Sequence, residues 1–158
     1  MKRLLLGMLL CVSTAVTVAQ KTIVNDANAA ARTVEAFTKI HVSSAVDLYL
    51  SQGDENAVAV SAIEVKYRDR IKTEVKEGTL KIWYDTEGIS WGSGNKKLRA
   101  YVSVKTLREL HASGASDVFI NGTVKAADLN VHLSGASDLS GRIEATNLDV
   151  HVSGASDM

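Results

Sequence analysis

The chain has 158 residues, with 18 basic side chains against 18 acidic ones, no proline and a single cysteine. A formal charge of zero provides no basic surface for nucleic acid or an anionic membrane, and one cysteine allows no disulfide within the chain. The length suits one domain with a modest core.

The first residues, "MKRLLLGMLLCVSTAVTVAQK", place Lys2 and Arg3 ahead of an apolar run from Leu4 to about Val18, followed by small residues to Ala19. That run is short for a bilayer span, so residues 1–19 read as a secretory signal peptide rather than an anchor. A lipoprotein signal fits less well, because Leu10 stands before Cys11 where a small residue is needed. Cleavage before Gln20 would remove Cys11, Lys2 and Arg3, leaving 16 basic against 18 acidic residues and a charge of −2. The expected product is exported to the periplasm or cell surface, with no transmembrane span once the signal is gone and no thiol to act as ligand or nucleophile.

Residues 20–32 lack a clean period and read as a leader segment; residues 33–158 read as a single β-rich domain. Within it, 33–106 form a strand and hairpin region. "FTKIHVSSAVDLYLSQGDENAVAVSA" alternates apolar and polar residues around the turn "SQGDEN". "IEVKYRDRIKTEV" allows one turn of helix near Val65–Asp69. "IKTEVKEGTLKIWY" predicts a hairpin with Glu77-Gly78 at its turn and Ile71, Thr73 and Val75 answered by Leu80, Ile82 and Tyr84. A glycine-rich loop, "DTEGISWGSGNKK", leads to the alternating strand "LRAYVSV". No stretch keeps a helical period, so the domain is predicted all-β.

Residues 107–158 repeat themselves. "SGASD" stands at Ser113–Asp117, Ser134–Asp138 and Ser153–Asp157, recurring after 21 and then 19 residues. Periods near 20 mark solenoids, in which each repeat forms one coil. Leu110, Val131 and Val150 fall in register, as do Ala112, Leu133 and Val152, while the His and Ser between them face away. Val118, Leu139 and Met158 follow as inward positions, and "SGASD" becomes the corner of a parallel β-helix-like solenoid, with glycine easing the turn. A degraded fourth copy lies in "IHVSSAVDLYL", where His41, Ser43, Ala45 and Asp47 match His111, Ser113, Ala115 and Asp117. All four histidines occupy that slot, which predicts one wall shared by the front region and the coils.

On "F-x-x-I-x-V" at Phe37 to Val42, "VDLYLSQG" at 46–53, "IKTEVKEGTLKI" at 71–82 and above all "LHASGASDVFING" at 110–122, the chain resembles the head-GIN domain family of putative auto-transporter adhesins, secreted bacterial proteins. The resemblance implies a right-handed β-helix-like fold and an adhesive role. Related chains carry further coils, whereas this one reaches Met158 within its third copy. An uncapped coil leaves unpaired backbone and a bare apolar column. Either self-association through that C-terminal edge covers it, or the product is truncated; truncation is the favoured expectation.

Repeated His, Ser and Asp invite a hydrolase triad, but a catalytic site needs one asymmetric arrangement, so these residues are read as corner chemistry, with Ser and Asp bonding nearby amides. The column His111, His132 and His151 contains good ligands for a transition metal, but collinear spacing suits a tetrahedral shell poorly. Asp117, Asp138 and Asp157 form a second column, without the short glycine-rich repeats of calcium-binding β-rolls. Trp91, in the "GISWGSGN" loop, is either a recognition platform or a lid folded beside Trp83. These seven residues are the candidate ligand contacts. No catalytic residue, metal site or cofactor is expected. The sequence thus predicts an exported non-enzymatic binding or adhesive module facing envelope glycans or proteins. A structural envelope protein without a ligand is the alternative, and a polysaccharide-active hydrolase or lyase a remote one.

Overall fold

The computed structural model describes residues 26–88 and 94–158. The signal peptide expected at 1–19 and Trp91 lie outside the described residues. Among those described, the protein is all-β: strands β1 (Ala30–Arg32), β2 (Lys39–Val42), β3 (Asp47–Gln52) and β4 (Ala57–Ser61), a single helical turn α1 (Val65–Arg68), then β5 (Ile71–Lys76), β6 (Thr79–Tyr84), β7 (Arg99–Val104), β8 (Glu109–Ala112), β9 (Val118–Leu133) and β10 (Leu139–Val152). All ten strands join one sheet, in the order β1-β4-β7-β3-β9-β8-β2-β6-β5 with β10 on β9, bent round the core like a nearly closed barrel.

The local predictions for β5, β6 and α1 hold. β5 and β6 form the hairpin, with Ile71 opposite Tyr84, Thr73 opposite Ile82 and Val75 opposite Leu80. Its turn residues Glu77 and Gly78 have φ of 52° and 72°, the paired left-handed values that match a two-residue turn to strand twist. α1 falls at the one place where a helical turn was allowed.

β9 and β10 are long because each runs past a bend, and this explains how the sheet wraps. The first part of β9 pairs parallel with β3, and its last part with β8; β10 then follows β9 in parallel register through His151 beside His132. The chain thereby lays down rungs: β6 to β7, β2 to β3, β8 to β9, the end of β9 to the start of β10, and the end of β10 onward. Each lies parallel to the next on both sides of the corner. The expectation that the hairpin region precedes the coils needs correction. β6 pairs with β2, and the β2–β3 rung is sandwiched between β6–β7 and β8–β9, so the front half is built into the stack. The last residues of the segment read as a leader, Ala30–Arg32, form β1 on the edge of β4.

Alternation decides what enters the core. Ile40, Leu80, Leu110 and Val131 lie side by side in register and are wholly buried, and so do Val42, Ile82, Ala112 and Leu133 in the neighbouring row. Burying each such aliphatic side chain contributes about 1.5–3 kcal/mol, and Leu110→Ala would cost about 2–5 kcal/mol through lost burial and the cavity left. On the opposite wall Ala100, Leu48 and Val118 form an equivalent row. The last rung is different. Val150 and Val152 stay in register with Val131 and Leu133 but are 38% and 46% exposed, since among the described residues no strand lies beyond β10.

Candidate functional site: the SGASD corner and the histidine wall

Each corner is drawn by the same bonds. The Ser134 and Ser153 amides donate to Ala112 O and Leu133 O, and the Ala136 and Ala155 amides donate to Gly114 O and Gly135 O. Gly114, Gly135 and Gly154 have φ of 77° to 80°. A Cβ on Gly135 would stand 2.4 Å from Gly114 O, and one on Gly154 equally close to Gly135 O, so the stacking of corners leaves no room for a side chain. The degraded copy places Ser44 in the glycine slot at φ 63°, where no earlier motif copy presses on it.

Two side-chain ladders cross the corners in opposite directions. The amides of Val46, Ser116 and Ser137 donate to the hydroxyls of Ser116, Ser137 and Ser156 on the following rung, at 3.2, 3.3 and 3.1 Å. The amides of Asp138 and Asp157 donate back to Asp117 Oδ1 and Asp138 Oδ1 of the preceding rung, at 3.2 and 3.1 Å, and the Asp117 amide likewise bonds the Asp47 carboxylate. The expectation of local turn bonds is therefore corrected: these side chains bond between rungs, not within their own turn. Burial raises the pKa of Asp47, reinforced by the like charge of Asp117 and opposed by that amide and by Arg99.

Sequence reading missed the second serine of the motif. Ser116 and Ser137 are wholly buried, and Ser156 nearly so, with hydroxyls that satisfy buried amides which would otherwise be orphaned. Inside the corner alternation breaks down, so only the recurrence of serine itself marked the position. Val46 replaces serine in the first copy. The rung on its other side is joined by residues 85–98, which contain no copy of the motif to supply the amide.

The four histidines form one column on the outer face of the β2–β8–β9–β10 wall. Ring centroids are 4.9 Å apart for His41 and His111, 5.9 Å for His111 and His132, and 4.9 Å for His132 and His151, the last pair stacked. Glu109 Oε1 lies 2.9 Å from His41 Nε2, and Asp149 Oδ1 lies 3.4 Å from His151 Nε2. The His41 bond holds the Glu109 carboxyl below its usual range against the opposing effect of burial. Burial, with His41 and His132 on either side, lowers the pKa of His111. Among the described residues no three His, Cys, Asp or Glu side chains gather around a point where a metal ion could sit.

A second ladder went unseen in the sequence. Tyr49 stands between Tyr101 and Phe119, at ring centroids of 5.2 and 5.1 Å with planes tilted by 30° and 25°. Rings that near and that close to parallel cover one another's faces, so Tyr49 offers solvent an edge rather than a platform. Tyr101 donates its hydroxyl proton to Asp26 Oδ2 at 2.9 Å, with Arg99 at 3.6 Å from the same oxygen. Hydrogen bonds from Ser61, Asn28 and Tyr101 and the Arg99 charge outweigh burial and lower the pKa of Asp26. This ladder is legible only once β3 is known to lie between β7 and β9.

The chain is thus an all-β domain whose strands pair in parallel on both sides of the repeated corner. A sequence profile described as "Putative auto-transporter adhesin, head GIN domain" matches residues 36–158, and the chain belongs to that family. Among curated proteins none matches the chain significantly. Among solved structures, a putative adhesin from Bacteroides fragilis shares 20% identity at a TM-score of 0.68, covering 81% of this chain and 59% of its own. A putative adhesin from Parabacteroides distasonis shares 19% at a TM-score of 0.70, covering 82% and 54%. A putative lipid binding protein from the same species shares 19% at a TM-score of 0.55, covering 79% and 61%. At such identities the likeness is one of fold, and this chain spans 54 to 61% of the length of those three.

Proposed function

We propose that the chain is an exported, non-enzymatic binding module of the cell envelope. Residues 1–19 serve as the signal peptide, and the rungs of the single domain 33–158 follow a right-handed parallel β-helix-like path. The observation that carries this reading is the match of residues 36–158 to the family described as "Putative auto-transporter adhesin, head GIN domain". The corner chemistry supports it: the second serine and the aspartate of each corner accept backbone amides of neighbouring rungs and so hold the stack together. Among the described residues no helix is long and apolar enough to cross a membrane. Partners of this module are envelope glycans or proteins, met by the outer faces of the walls, with Trp91 as a further candidate contact.

The test is binding of purified protein to a glycan array and to envelope lipid vesicles, with Trp91→Ala and His132→Ala alongside. A defined glycan class whose binding falls at least about tenfold in either variant, with the melting temperature unchanged, is the expected result. Vesicle binding without glycan binding would move the reading to lipid. Failure to bind either would favour a structural envelope protein, a second reading to which the engagement of both corner ladders in rung-to-rung bonds already lends weight.

A further inference from the structure

The outer face of the β7–β3–β9 wall carries a row of rings, Tyr101, Tyr49 and Phe119, and β10 continues that row with Ser140, the residue in register with Phe119. Neighbouring ring centroids are 5.2 and 5.1 Å apart, close to the strand spacing of about 4.8 Å. At the far end Tyr101 has buried Ala59 beside it and donates its hydroxyl to Asp26. At the near end Phe119 lays one face on Tyr49 and turns the other to the Ser140 position. Serine is too small to cover a ring. Ser140 is exposed, and Gly141 beside it is kept bare by Ile120, which leaves no room for a Cβ. Over Ser140 there is thus a slot one ring thick, with an aromatic face for one wall.

Its rim is polar. Val118 and Ile120 point into the core, so Asp117 and Asn121 share the outer face with Phe119. Asp138 stands two residues before Ser140, and Arg142 follows Gly141, both exposed. Asp117 Oδ1 and Asp138 Oδ1 accept backbone amides, which leaves the second oxygen of each carboxylate for a ligand.

We propose that this slot binds a neutral hexopyranose residue of a glycan, its C–H face against the Phe119 ring and its hydroxyls on Asp117, Asp138 and Ser140. The proposal rests on the reading of the chain as a binding module for envelope glycans and names a contact other than His132 and Trp91. A sugar matches both parts of the slot, because it joins an apolar face to an edge of hydroxyl donors. An aromatic side chain of a partner protein would cover Phe119 but strip water from two carboxylates without a hydrogen bond in return. Two carboxylates against one guanidinium keep the rim acidic, which selects against uronic and sialic acids. The site is built from β3, β9 and β10 alone.

The test is titration of the purified protein with neutral oligosaccharides of β-linked glucose and galactose, followed by NMR. Nuclear Overhauser contacts between sugar C–H protons and the Phe119 ring are expected. Ser140→Tyr puts the protein's own ring in the slot and should weaken binding at least about tenfold with the melting temperature kept or raised. Phe119→Leu keeps an apolar side chain without the ring face and should lose as much; should it fail to fold, Ser140→Tyr still decides. Asp138→Asn should weaken binding with the fold intact. Glycan binding indifferent to Ser140→Tyr and Phe119→Leu would overturn the slot and leave the module reading standing, whereas no binding of any glycan would overturn both. Indole binding as tightly as the sugars would also overturn the proposal, since the rim would then contribute nothing.

Discussion

Asp138 Oδ1 accepts the backbone N–H of Asp157 at 3.1 Å, while Ser156, on the same rung as Asp157, accepts the amide of Ser137 through its hydroxyl. Beside its backbone bonds, each corner is thus tied to the next by one side-chain bond in each direction, and these ties can be removed singly. Asp138→Ala deletes an acceptor at an exposed position and should lower stability by about 1 kcal/mol, since water can replace it in part. Asp138→Asn keeps an acceptor oxygen and should lose less. Urea unfolding of the three proteins orders them.

Ser137→Ala should cost more, about 1–3 kcal/mol, because the Ser116 amide it serves is buried and no solvent can take its place. The same denaturation series checks this, and a loss smaller than that of Asp138→Ala would contradict the buried role.

The glycine slot gives opposite results at two positions. Gly135→Ala forces a methyl to within 2.4 Å of Gly114 O and an L-residue to φ 80°, and should destabilise by about 3 kcal/mol or more. Ser44→Gly, where a serine already sits at φ 63°, should stabilise by about 1 kcal/mol. Thermal melts of both variants beside wild type read the contrast, and a neutral Gly135→Ala would sink the stacking argument.

The histidine column should make stability depend on pH. His111 has a folded pKa below its ordinary 6.5, chiefly through burial and then through His41 on β2 and His132 on β9; Glu109 opposes this. The imidazole is therefore favoured neutral in the fold. Its effect is absent well above pH 6.5, and stability falls as pH drops through that value, because the unfolded chain takes up the proton more readily. Lys81 on β6 and Lys39 on β2 add positive charge around His41, and Asp149 offsets His151 at the far end. Glu109, held low by His41, contributes stability above pH 4.5 that is lost as pH falls through its depressed folded value. Melting at pH 5.5 should be several degrees below that at pH 7.5, and His111→Gln should shrink the difference. Coincident wild-type melts would refute it.

What the sequence disclosed and what it concealed divide along one physical line. Features repeated within a strand or turn were readable: the alternation that sends Leu110 inward and His111 outward, the Glu77-Gly78 turn, and the glycine of the corner. The shared wall followed from four histidines in one slot, and His41 does pair with His111. Features set by which rung lies beside which were not readable. Nothing local places β2–β3 between β6–β7 and β8–β9, so the Tyr101, Tyr49 and Phe119 ladder stayed hidden. The direction of the Ser and Asp bonds stayed hidden too, since a residue that bonds across a coil looks, in one dimension, like one that bonds within its own turn.

The stack has two unlike ends. Among the described residues one side finishes in antiparallel strands, β5 against β6 and β4 against β7 with β1 beyond it, while the other finishes in β10, parallel to β9. A duplication or deletion of one 19- or 21-residue unit on the parallel side alters how far the polar walls reach and leaves the antiparallel strands untouched.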